Sequence, residues 1–317
     1  MIGIKMNNND RYFCEPSTNR EELEERVGVI RQQESTTYAR RDFMFVQGSE
    51  EVETADDEKS RNKVSLECRE KICEWSYRVV DHFKIDREVV LTSWYFIDRF
   101  LSTQEECNTT LFKLLAMTSL SLASKLFGAR RMTMQYLVEL SRAEFSVAQM
   151  MQMEVFLLRT LKWRVHPPTV KTVIRELLGL LAPTVNDVVL KKVSEYAHFF
   201  AELSVYDAKL AGVDATDIAL ASLVNALNWI FESELTEAVR QSFLEDASRI
   251  LETDHACEDI QFVQKRLWDV YSRTEECALS TSATCTFEEP VVKRQRREEA
   301  DRSPITVIST TPYFAAH

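Results

Sequence analysis

The stretch KLLAMTSLSLASK, residues 113–125, decides the fold of this chain, because it places eleven uncharged residues in a row between two lysines. A helix that is apolar on all of its faces is normally enclosed by other helices. We therefore predict a helix from about Thr109 to Leu126 that lies at the centre of a helical bundle.

The composition of the whole chain also favours helices. The 317 residues are 45% hydrophobic and 28% charged, and they include only six glycines and seven prolines. Few helix breakers among many helix-forming residues indicate an all-α protein. The net charge of −11 argues against general nucleic-acid binding. We expect a protein or peptide as the partner.

The cysteines and histidines give no sign of a metal site, a disulfide framework or a catalytic centre. The seven cysteines are scattered, form no CxxC pair and have no spacing that suits zinc. We interpret them as reduced thiols. No phosphate-binding loop, nucleophile motif, signal peptide or membrane span is evident. The sequence therefore predicts a soluble, intracellular protein that is not an enzyme and needs no cofactor.

The pattern of helices predicts an internal repeat. A second charge-free run lies between Asp217 and Glu232, about 105 residues beyond the first. Each run is the third of five predicted helices, which gives one unit over residues 61–166 and another over 167–274. The alternative is one irregular helical domain with two buried helices. Residues 1–60 are predicted to be an extension with a short helix over Glu21–Gln33, and residues 275–317 a disordered regulatory tail.

Two charged residues occupy positions where the helical pattern calls for apolar ones. Lys125 shares a stripe with Leu115, Thr118 and Leu122 on the third helix, and Glu154 lies on the apolar stripe of the fifth. Lysine and glutamate are rarely buried unless they are paired. The two residues are therefore either partners within the fold or part of a surface that another protein completes.

Four segments resemble the cyclin box, in the right order and spacing: CREKICEW at 68–75, DRFLS at 98–102, LSLASK at 120–125, and residues 153–169 with Met-Glu, Leu-Lys-Trp and Pro-Thr. Details of residues 114–123 and of Leu-Lys-Trp-Arg are similar to D-type cyclins. The resemblance implies two tandem five-helix cyclin folds with flexible N- and C-terminal extensions. It also implies a structural role for four residues, Arg69, Glu74, Asp98 and Arg99.

The resemblance implies a function as well. The chain would be a regulatory subunit that binds a cyclin-dependent protein kinase, activates it allosterically in cell-cycle control at G1, and stays monomeric until the kinase binds. Lys125 and Glu154 would reach the kinase, with apolar contacts from Leu122, Leu126, Leu158, Trp163 and Val165. Kinase substrates or inhibitors are further candidate partners. Many cyclins carry acids after this lysine, whereas Leu126 to Arg131 include none.

The resemblance also implies a substrate-docking patch, at Ile72, Trp75, Arg78, Phe112 and Lys113, flanked by Cys68 and Lys71. Arg78 stands where related proteins carry an acid that binds a substrate arginine. We therefore hypothesise that the patch disfavours Arg-x-Leu peptides and accepts acidic-hydrophobic peptides or none. The alternative is an ordinary solvated helix face.

Two short motifs near the C-terminal end each allow a functional and a non-functional interpretation. Ser303 and Thr311 precede proline and are candidate phosphorylation sites in an otherwise inert tail. Lys293, Arg294, Arg296 and Arg297 form a candidate nuclear import signal or a solvated basic run. We expect a protein of the nucleus and cytoplasm.

Two further motifs overlap predicted helices. Residues 66–70 fit the Leu-x-Cys-x-Glu pattern by which D-type cyclins bind retinoblastoma-type proteins. Arg20–Leu23 fits a minimal destruction box or the start of a helix.

Three other functions are alternatives to a cell-cycle cyclin. A transcriptional cyclin would pair with a kinase that acts on RNA polymerase. A transcription factor of the IIB type would bind DNA, and should carry a zinc ribbon and a basic surface, neither of which is evident here. A helical-repeat scaffold would bind no kinase, and Glu154→Ala would leave its partners unchanged.

Overall fold

The computed structural model describes residues 20–40, 66–104, 107–130, 132–142 and 144–273. These residues form helices and no strand, so the all-α prediction is confirmed. The helices are α1 (Arg20–Ser35), α2 (Leu66–His82), α3 (Glu88–Leu101), α4 (Thr109–Phe127), α5 (Met134–Leu140), α6 (Val147–Thr160), α7 (Val170–Leu181), α8 (Asp187–Leu203), α9 (Ala215–Asn228), α10 (Glu237–Leu251) and α11 (Glu258–Arg273).

The charge-free run of α4 forms the centre of the first repeat, as predicted. Every residue from Leu115 to Ser124 is buried. Helices α2, α3, α5 and α6 pack around it. By length and hydropathy alone α4 could span a membrane, but here the other helices of the bundle cover most of its apolar surface.

The second repeat has the same plan around α9. Its residues from Ile218 to Leu227 are all buried, and α7, α8 and α10 pack against it. Helix α11 is joined to it by a hydrogen bond in which the Asn225 Nδ2 group donates to the Gln264 carbonyl at 3.2 Å. The two tandem five-helix units that the sequence predicts are therefore present.

Side-chain caps fix the starts of several helices. Ser146 and Gln149 form a complete capping box at the start of α6, as the sequence predicts. The Thr169 hydroxyl accepts a hydrogen bond from the Thr172 amide at the start of α7, after the two prolines that separate the repeats. Each cap fixes the residue at which its helix begins.

Polar contacts join α2 and α3 to the end of α8. The Tyr77 hydroxyl donates to the Glu202 carbonyl at 2.8 Å, and Arg69 Nε donates to the Val205 carbonyl at 3.2 Å. Arg87 donates to the Glu202 carboxylate at 2.9 Å. Each bond links the first repeat to the second.

The N-terminal helix α1 packs on α7 and α10 of the second repeat. Arg20 forms an ion pair with Asp246 at 2.7 Å, and Leu23 is buried. The candidate destruction box at Arg20–Leu23 is thus the first turn of a packed helix. The short helix predicted over Glu21–Gln33 is present as α1, whereas the predictions for residues 275–317 lie outside the described residues.

Candidate functional site

Lys125 and Glu154 form an ion pair on the surface of the first repeat. The Lys125 Nζ lies 2.7 and 2.8 Å from the two carboxylate oxygens of Glu154. The two side chains remain 35% and 17% exposed. The two alternatives from the sequence are therefore not exclusive: the residues are partners, and both face solvent at the edge of the α4–α6 packing.

The backbone turns sharply just beyond Lys125. Gly128 follows α4, and a Cβ atom there would lie 2.6 Å from the Ser124 carbonyl oxygen and 2.9 Å from that of Arg130. Only a residue without a side chain allows this close approach. The turn ends α4 at Phe127, so that Lys125 and Leu126 lie in its last turn, where both are exposed.

A second turn, just after α6, displays Trp163. Lys162 and Trp163 both have left-handed backbone conformations, with φ of 52° and 59°. This conformation costs energy in a residue that has a side chain, and it tends to occur at functional sites. The Trp163 amide donates to the Leu158 carbonyl at 2.9 Å, which holds the turn. The indole is 70% exposed, which is exceptional for a side chain of this size.

The apolar residues predicted to surround the pair differ in burial. Leu126 and Trp163 are exposed, and Leu158 and Val165 are partly buried against the core. Leu122 belongs to the core itself and is almost fully buried. Leu122 thus lies beneath the surface, because the α4 stripe turns inward one turn before Lys125, and its contact with a partner stays a prediction.

Arg69 and Asp98 form a buried pair within the first repeat. The guanidinium donates to both carboxylate oxygens, at 2.5 and 3.0 Å, and lies over the Trp94 ring, 4.3 Å from its centre. Such a bidentate pair fixes both orientation and distance. Arg99 donates to the Tyr95 hydroxyl at 2.8 Å, on the outer side of α3.

Glu74 does not take part in this packing. Its side chain is about half exposed and pairs with Arg78 one turn along α2, at 2.8 Å. An exposed pair of this kind contributes little to folding. The predicted structural role of Glu74 is therefore corrected, while Arg69 and Asp98 lie together in the interior.

The residues of the predicted docking patch are only partly brought to the surface. Ile72 and Trp75 on α2 are half-buried against the core. Phe112 is fully buried, and its ring centre lies 6.2 Å from that of Trp94. Phe112 therefore cannot line a docking groove, because α4 turns it inward.

The positive charge expected at this patch is largely balanced. Lys71 pairs with Glu67 at 2.6 Å, Arg78 with Glu74 at 2.8 Å and Lys113 with Glu144 at 3.0 Å. The sequence argument counted the three cations but not the acids beside them. The hypothesis that the patch selects acidic peptides loses its main electrostatic basis.

The Leu-x-Cys-x-Glu pattern lies in a regular helix. Residues 66–70 form the first turn of α2, with Leu66 exposed and Cys68 half-buried. Burial raises the pKa of the Cys68 thiol. A motif that is bound as an extended strand is not available in this conformation. Ser303, Thr311 and the basic residues 293–297 lie outside the described residues.

The sequence reasoning missed Glu34, a buried carboxylate at the end of α1. It accepts hydrogen bonds from the Ala215 amide at 2.8 Å and from the Thr216 hydroxyl at 2.7 Å, at the start of α9. Burial raises its pKa to about 7. The signal was weak, because a glutamate in an acidic helix looks like a solvated residue.

The outward side of α6 was also missed. Met151, Val155 and Phe156 are exposed there, although the sequence argument considered only the apolar stripe that contains Glu154. A count of apolar residues around the whole helix would have revealed it. Among the described residues, no cluster of histidine, cysteine and carboxylate side chains could hold a metal ion.

Comparisons with known proteins agree with this geometry. The family model "Cyclin, N-terminal domain" matches residues 34–166. Cyclin-D3-3 of Arabidopsis thaliana is 31% identical over 105 residues, which cover 32% of this chain and 29% of that protein. The G2/mitotic-specific cyclin C13-1 of Daucus carota is 28% identical over 152 residues, or 47% and 43% of the two chains. The matches thus span less than half of these relatives.

The fold is shared over a longer stretch. The crystal structure of a viral cyclin from herpesvirus saimiri has a TM-score of 0.57, with 18% identity, and the match covers 80% of this chain and 97% of that one. The matched fold includes both five-helix repeats. Residues 34–166 thus match the cyclin N-terminal domain, and the chain is similar to cyclins in sequence over this region and in fold over both repeats.

Proposed function

We propose that this chain is the regulatory subunit of a cyclin-dependent protein kinase and performs no chemistry itself. The observation that carries the proposal is the Lys125–Glu154 pair, which stays partly exposed, with Leu126 exposed next to Lys125 in the chain and Trp163 exposed at the turn after α6. Aromatic and aliphatic anchors around a few charged groups are typical of strong protein-binding surfaces.

The proposed mechanism is allosteric. A protein kinase is active when an ion pair from its C-helix is formed and its activation loop is in place. A rigid surface that binds only the inward position of the C-helix shifts the kinase population toward the active state. Here the buried faces of α4 and α6 supply that rigidity, because both helices are anchored in one core.

The finer assignment is a D-type role in G1 progression, for a protein of the nucleus and cytoplasm that binds neither nucleic acid nor membrane. The identity with Cyclin-D3-3 supports the D-type assignment. The identity with a G2/mitotic-specific cyclin is nearly as high. Finding out which kinase the chain binds would distinguish these assignments. A kinase that acts on RNA polymerase would indicate a transcriptional cyclin instead.

The decisive experiment isolates the full chain from cells and identifies the bound kinase by mass spectrometry. The purified kinase is then assayed for substrate phosphorylation with and without the chain. We expect activation by the wild-type chain, and a loss of binding of about tenfold or more for the double variant Lys125→Ala/Glu154→Ala.

A matched control is available in the second repeat. Lys192 and Glu234 form an ion pair at 2.6 Å and are similarly exposed. The variant Lys192→Ala/Glu234→Ala should bind and activate the kinase as the wild type does. Equal binding by both double variants would remove the ion-pair surface from the proposal, and the absence of any bound kinase would refute the proposal itself.

A further inference from the structure

A cavity of about 30 Å³ lies where the two repeats meet. Helix α3 of the first repeat forms one wall, and residues 167–169, which link the repeats, form another. Ser204 and Leu210, in the segment after α8, and Ile218 of α9 line it from the second repeat. The cavity therefore belongs to the joint between the repeats rather than to the core of either one.

Two residues of α3 that line this cavity carry buried polar atoms. Thr92 and Trp94 are each only 1% exposed. The Thr92 hydroxyl oxygen and the Trp94 Nε1 atom have no hydrogen-bond partner among the residues that the structure describes. A buried polar group without a partner is costly, and nearly all such groups in folded proteins are bonded to protein or to ordered water. The two atoms therefore need a partner from within the cavity.

Three other polar side chains at the cavity are already engaged. The hydroxyls of Thr169 and Ser204 each donate a hydrogen bond, at 2.5 and 2.7 Å. Each carboxylate oxygen of Asp98 accepts one bond from Arg69. Because a carboxylate oxygen has two lone pairs, Asp98 can still accept a further hydrogen bond. The cavity thus combines two polar atoms without a partner and an acceptor with spare capacity.

We infer that this cavity is a binding site for ordered water at the joint between the repeats. The Asp98 carboxylate disfavours an anion there, and the Arg69 guanidinium disfavours a cation. A neutral molecule that both donates and accepts hydrogen bonds fits this set of groups. A space of about 10–15 Å³ holds one water, so about two fit. Water accepts from the Trp94 N–H group, bonds to the Thr92 hydroxyl in either direction and has hydrogens left to donate.

Nuclear magnetic resonance of the full chain, with isotope-labelled tryptophan indoles, tests this inference. A water molecule that stays bound for longer than the protein takes to tumble gives a nuclear Overhauser signal at the indole proton, and a rotating-frame measurement separates this signal from proton exchange. We expect it at Trp94, whose resonance is identified by its loss in Trp94→Phe. The Trp163 indole, which is 70% exposed, meets rapidly exchanging water and should lack the signal. Its absence at Trp94 would overturn the inference.

Two threonine variants test the second group at the site. Thr92→Val removes the hydroxyl but keeps the shape of the side chain, so it should weaken or abolish the water signal at Trp94. Thr118→Val is the matched control, because its hydroxyl is also buried without a partner among the described residues but lies on α4, outside the cavity. It should leave the signal unchanged, and an equal loss in both variants would contradict the site.

A crystal structure of the wild-type chain gives an answer that needs no substitution, should Trp94→Phe fail to fold. We expect the electron density of a water oxygen about 3 Å from Trp94 Nε1. An empty cavity would overturn the inference, and so would a salt ion in the same place. Direct hydrogen bonds from Thr92 and Trp94 to protein atoms would overturn it as well, because neither group would then need water.

Discussion

The last helices of the two repeats, α6 and α11, occupy equivalent places but have different surfaces. Helix α6 carries two charged residues among 14, and its outward face includes Met151 and Val155. Helix α11 carries six charged residues among 16. Helix α11 also exposes Phe262 and Trp268, but among charged residues, whereas the exposed residues of α6 include a single charge, Arg159. The comparison teaches that the surface, not the fold, carries the function.

The largest effect is expected inside the first repeat, on which the surface of α6 depends. Arg69→Ala would leave Asp98 charged and buried without its partner, which should lower the free energy of unfolding by about 3–5 kcal/mol. Urea unfolding measures the change. Glu74→Ala, which removes an exposed pair, is the control and should cost less than about 1 kcal/mol. Equal losses in the free energy of unfolding would mean that the buried Arg69–Asp98 pair stabilises the fold no more than the exposed Glu74–Arg78 pair does.

The second repeat should respond to pH through Glu34. Its pKa is about 7 in the folded chain, chiefly because of burial, against a reference value of 4.5. Between these values the folded state holds a proton that the unfolded state has lost, so stability should fall as pH rises from 4.5 to 7, by roughly 3 kcal/mol at most. Asp217, whose pKa burial raises to about 6, adds to this slope with the same sign.

Glu34→Gln should therefore flatten the pH dependence of unfolding only in part. Urea unfolding at several values between pH 4.5 and 8 measures the slope for each variant. Glu24→Gln changes an exposed carboxyl on the same helix and should leave the slope as it is. An unchanged slope in Glu34→Gln would show that this carboxyl titrates normally.

Two glycines, one at the end of α4 and one in α1, should give smaller effects on stability, of opposite sign. Gly128→Ala, beside the ion-pair surface, places a Cβ atom 2.6 Å from a backbone oxygen and should destabilise by about 1–3 kcal/mol. Gly28→Ala in α1 meets nothing within 4 Å and should stabilise by about 0.5–1 kcal/mol. Thermal unfolding distinguishes the two, and a stabilised Gly128→Ala would contradict the close approach.

The smallest effect is expected at the Lys125–Glu154 pair itself. The pair is partly exposed, so Lys125→Ala/Glu154→Ala should change the free energy of unfolding by less than about 1 kcal/mol. Urea unfolding at moderate salt measures this. A larger loss in the free energy of unfolding would mean that the pair stabilises the fold rather than serving a partner surface. The contrast between α6 and α11 would then be weaker.

The sequence predicted the fold well because its strongest signals are long. The uncharged runs of α4 and α9 each span several turns, and such runs can be satisfied only at the centre of a bundle. The caps at Ser146 and Thr169 were also predictable, because a capping side chain acts within one turn.

The candidate site was less predictable because it depends on which way each residue points. The stripe of α4 predicted Leu122 and Lys125 together, but the first is buried and the second exposed, since the helix passes from core to surface between them. Each of the three basic residues at the docking patch pairs with an acidic residue. For Lys113 this residue is Glu144, which lies 31 positions away in the chain. Pairings of that kind depend on tertiary structure.

The bonds from Arg69 and Tyr77 to backbone carbonyls at the end of α8 have a practical consequence. A fragment that stopped at the two prolines would lose both acceptors, and Arg69, which is buried in the whole chain, would keep its contacts with Asp98 and Trp94 but lose its bond to the second repeat. Such a fragment would be a poor substitute for the complete protein. The two halves should instead melt together, in a single cooperative transition.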